Sequence, residues 1–120
     1  MVETAPMALA FAFVAFDVVS GLIKAAAAHA LSSKKMREGF WHKVASCFAI
    51  LFSAFCASAA AVCEFIPDGF MAAYMLCCTY IISMETLSIL ENIGAVNPEL
   101  PICKLLEIFG VEKDEESDRR

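Results

Sequence analysis

Long apolar blocks alternate with short polar ones along this chain, and the blocks are too clean for helices with a wet face. From Val44 to Cys63, twenty consecutive positions carry no charge. At 1.5 Å per residue such a helix is about 30 Å long, the thickness of a bilayer's hydrocarbon core. Before it, Ala5 to Leu31 is interrupted by Asp17, Lys24 and His29. After it, Phe70 to Leu90 holds Glu85 and the small polar groups Thr79, Ser83, Thr86 and Ser88. The pattern predicts an all-α integral membrane protein with three transmembrane helices, near 7–30, 44–63 and 70–91.

The link Glu64-Phe65-Ile66-Pro67-Asp68-Gly69 carries turn chemistry, because Pro presets φ, Asp caps and Gly permits positive φ. So short a link makes the second and third helices an antiparallel hairpin. Gly94, Pro98 and Pro101 stop the third helix beyond Glu91 and Asn92. A short C-terminal amphipathic helix follows, with Ile102, Leu105, Leu106 and Phe109 at i, i+3, i+4 and i+7 and Gly110 placed to end it. It is expected on the membrane surface or packed under the bundle. Glu112 to Arg120 carries five acids and three bases, so residues 111–120 are expected to be a disordered cytoplasmic tail after a membrane domain spanning 1–110.

Composition sharpens this picture at a few points. The chain is 60% hydrophobic and 19% charged, and its charges are bunched between Lys34 and Lys43 and in the tail. A net charge of −5 gives no reason to expect a nucleic-acid partner. Cys47, Cys56, Cys63, Cys77 and Cys78 lie in apolar blocks, where cysteine acts as a small hydrophobe. Neither a CxxC pair nor a Cys/His spacing suited to zinc occurs, and no cofactor or metal is expected. His29 and His42 have no partners in sequence, and no nucleophile–base pair or phosphate loop is present, so an enzyme is not expected.

Orientation follows from basic residues in short loops. Lys34, Lys35, Arg37 and Lys43 fall in the first connection, whereas the N-terminal segment and the second link hold none. That places the N-terminus outside and the C-terminus in the cytoplasm, with Trp41 at the inner interface. Ala28-His29-Ala30 has the form of a signal-peptidase site, but no basic region precedes the first block. The block is therefore read as a retained helix.

Polar positions form stripes. Asp17, Ser20, Gly21, Lys24 and Ala28 share one face of the first helix. They are read either as a buried Asp17–Lys24 pair or as a face that lines water once helices associate. Glu85, Ser88 and Asn92 make a polar edge about a turn and a half from the inner end of the third helix. In the second, Ala45, Ala49, Ser53, Ala57 and Ala61 recur every four residues, a ladder that suits close helix packing.

Two stretches resemble the toxin-secretion/phage-lysis holins. The first is Asp17-Val18-Val19-Ser20-Gly21-Leu22-Ile23-Lys24, followed by Leu31 to Gly39 and Lys43. The second runs from Tyr80 through Glu85, Ser88-Ile89-Leu90-Glu91-Asn92 and Gly94 to Pro101 and Leu105-Leu106. The alanine run at Ala25–Ala30 and the acidic tail depart from the usual pattern. The resemblance implies a protein that accumulates in the bacterial host's cytoplasmic membrane, forms a homo-oligomer in the lipid bilayer, and opens lesions. A cell-wall hydrolase or toxin would leave through them without necessary direct contact. The alternative is a non-lytic membrane subunit, a scaffold or small ion channel in a larger complex.

Overall fold

The computed structural model describes residues 2–67 and 69–108, and these form four helices with no strand among them. They are α1 (Ala5–Ala27), α2 (Ser33–Val62), α3 (Gly69–Val96) and α4 (Ile102–Ile108). The first three are each long and apolar enough to cross a membrane. At 1.5 Å per residue, the 30 residues of α2 and 28 of α3 extend well past a 30 Å hydrocarbon core.

Their boundaries differ from those expected, each for a local reason. α1 ends at Ala27 because the chain turns there: the His29 N–H bonds the Ala26 carbonyl and the Ala30 N–H reaches back to that of Ala25. This is the Schellman closure, and it needs a left-handed residue, which is His29 at φ 52°. α2 begins at Ser33 rather than at position 44. The basic stretch expected as loop forms its first three turns, since Lys, Met, Arg and Glu are good helix formers and a lone Gly39 does not break a helix. α3 runs on to Val96, past Gly94. It stops where Pro98 disfavours the helical region at Asn97.

α3 is the central element, packed along both α1 and α2, which meet each other only narrowly. α1 turns Ala10, Val14, Asp17 and Ser20 inward, and α3 answers with Tyr74, Cys78, Ile81 and Glu85. Fully buried Tyr74 donates its hydroxyl to the Glu3 carbonyl at 2.8 Å, tying the start of the chain to α3. On the far side Phe16, Phe48, Phe52, Phe55 and Leu76 are exposed, as suits side chains that face lipid.

The alanine ladder is not one inward face. Ala57 is fully buried and Ser53 half-buried, but Ala45, Ala49 and Ala61 are exposed. A four-residue step advances about 40° around a helix, so five rungs sweep about 160° and leave any single neighbour. The buried positions of α2 are Ile50 and Ala57, seven apart. α4 takes the second of the two expected placements and packs under the end of α3, where Leu106 is buried. A Cβ on Gly94 would lie 3.0 Å from the Ile102 side chain, so a glycine there lets the two helices close. Phe109, Gly110 and the tail lie outside the described residues.

Candidate functional site

Three charged residues on three different helices meet inside the bundle. Asp17 stands ten residues before the end of α1, Lys43 ten residues after the start of α2, and Glu85 eleven residues before the end of α3. All three therefore lie about 15–17 Å from the same end of the bundle, at one level. The Lys43 ammonium is 2.6 Å from Asp17 Oδ2 and also donates to Glu85 Oε2. Asp17 and Glu85 are buried, at 7% and 6% exposure, and Lys43 between them is half-buried.

Neutral groups complete it. The Asn92 amide donates to Ser20 Oγ at 3.1 Å and, more weakly, to Asp17 Oδ1 at 3.4 Å. The Ser20 hydroxyl donates to the Asp17 carbonyl at 3.0 Å. Among the described residues no buried side-chain nitrogen or oxygen lacks a partner. This satisfaction matters in lipid, where charges on spanning helices must face protein or water.

The structure brings together Asp17, Ser20, Glu85 and Asn92, with Gly21 beside the Asn92 amide and Ser88 half-buried on the same side of α3. It leaves Lys24 out. That side chain is exposed in the last turn of α1, where a cation favours the negative helix end, and Asp17 pairs with Lys43 instead. Glu85 stands three turns from the end of α3 rather than one and a half, because α3 is longer than expected. Lys34, Lys35 and Arg37 are exposed on the opening turns of α2.

Lys43, grouped by sequence with the basic connection, also supplies the cation of this cluster. The available signal was its position at the foot of the apolar block. It lies seven residues before Ile50 and fourteen before Ala57, on the face that becomes buried. Among the described residues no group of His, Cys, Asp or Glu could hold a metal ion. Cys47, Cys56, Cys63, Cys77 and Cys78 are free thiols.

Three apolar helices clasped by an intramembrane ion cluster define a small multi-pass membrane protein with a polar interior stripe. Residues 3–110 match the Bacteriophage holin family, and the chain belongs to it. No curated protein and no solved structure matches it.

Proposed function

We propose that this chain is a lysis holin. It accumulates in the host cytoplasmic membrane as closed three-helix units, then oligomerises and opens lesions through which a cell-wall hydrolase or toxin leaves. The observation that carries this reading is the Asp17–Lys43–Glu85 cluster. In the single chain its polar groups satisfy one another, so the closed unit is tolerated in lipid. When copies associate, the same stripe would be turned to line water. Asp17, Ser20, Gly21, Glu85, Ser88 and Asn92 would face the lumen; Lys24 would stay at the inner rim. The basic start of α2 supports a cytoplasmic C-terminus and an external N-terminus.

Induced expression in bacteria tests the proposal, with and without a cell-wall hydrolase that cannot cross the membrane by itself. A holin lets a membrane-impermeant dye enter abruptly after a delay, and the cells lyse only when the hydrolase is present. Accumulation in a membrane that stays sealed would instead support a non-lytic subunit.

A further inference from the structure

A groove of about 380 Å3 opens between α1 and α2 on the side where these helices barely touch. Its walls are Val18, Leu22 and Ala25 from α1 and Met36 and Phe40 from α2, and its inner end is closed by the Asp17–Lys43 pair. Ser32 and Lys35 stand at its rim. Gly39 forms part of the wall, and a Cβ there would meet nothing within 4 Å, so no packing contact demands a glycine.

We propose that this groove holds an acyl chain of an anionic glycerophospholipid, its headgroup at Ser32 and Lys35. An apolar slot with a cationic rim at the bilayer surface matches an amphiphile of that charge, since basic pockets between spanning helices bind anionic headgroups. Lys34 and Arg37 flank the rim. The first turn of α2 holds no acid to offset them, and the Ser32 hydroxyl makes no capping bond. Lysines at the positive end of a helix are electrostatically misplaced by themselves, and an anionic headgroup corrects this. The lipid would wedge α1 from α2 beside the charge cluster.

The full chain is reconstituted in bilayers of equimolar phosphatidylglycerol and phosphatidylcholine and extracted in mild detergent. The lipid it retains is identified by native mass spectrometry. Wild type should retain phosphatidylglycerol in preference to phosphatidylcholine. Lys35→Gln should cut the preference about fivefold, the effect of one basic residue near the surface. Gly39→Leu and Leu22→Trp fill the groove from opposite walls, and each should abolish retention. Equal retention of the two lipids by wild type would overturn the proposal, as would an unchanged preference in both filling variants. So would a crosslinked dimer of Gly39→Cys, in a background lacking the native cysteines and with no lipid bound, which would give the groove to a second copy.

Discussion

Lys43 sits between two carboxylates, and the three charges together leave one negative charge uncompensated by side chains. This imbalance predicts an asymmetry between substitutions. Lys43→Met strands both carboxylates in the bundle and should cost about 3–5 kcal/mol, the usual penalty for removing one partner of a buried pair. Asp17→Asn leaves Lys43 matched with Glu85 and keeps a polar side chain beside Asn92. It should change stability by about 1 kcal/mol or less. The combination Asp17→Asn, Lys43→Met and Glu85→Gln removes every charge and should recover most of the single Lys43→Met loss. Unfolding in mixed micelles reads all three, and equal losses for Lys43→Met and Asp17→Asn would contradict the cluster's charge arrangement. At the other end, Tyr74→Phe loses the bond to the Glu3 carbonyl and should cost about 1 kcal/mol by the same measurement.

The helices themselves were legible because hydrophobic blocks about 30 Å long have few other uses, and the turn chemistry around Pro67 and Gly69 marks the hairpin. Their ends were less so. Nothing in the run Ala25–Ala30 says that His29 takes the left-handed position, and nothing distinguishes a basic loop from a basic helical extension except residue propensity. The polar stripes of α1 and α3 were readable from spacing alone, whereas the partner of Asp17 depended on how α2 packs, which a period cannot supply. Two predictions follow the observed faces. Ala57→Leu overpacks a fully buried position and should destabilise the bundle by about 1–3 kcal/mol. Ala49→Leu adds bulk on an exposed face and should leave the unfolding of the single chain unchanged. If Ala49→Leu lowers crosslinked oligomer yield at constant membrane level, the outer rungs of the ladder serve association between copies. If the two variants destabilise equally, the assignment of inner and outer rungs is wrong.

As a whole the chain is a clasped bundle: apolar outward, polar at one level within, and held at one end by Tyr74 and at the other by α4 under α3. Under the proposed function, such a unit crosses the membrane closed and becomes a hole when the inward stripe is turned to water. That exchange is the centre of the account, and Ser20 reports on it, being 8% exposed beside Asp17 and Asn92. The direct measurement uses Ser20→Cys in a background lacking the native cysteines and follows its reaction with a membrane-impermeant thiol reagent through permeabilisation. Val19→Cys in the same background serves as the control, since Val19 is 52% exposed in the single chain and points about 200° away from Asp17 around α1. Position 20 should be unreactive while the membrane is sealed and become reactive as dye enters, with position 19 unreactive throughout. Position 20 remaining protected in a freely permeable membrane would contradict that exchange, and the polar stripe would then be a structural clasp alone.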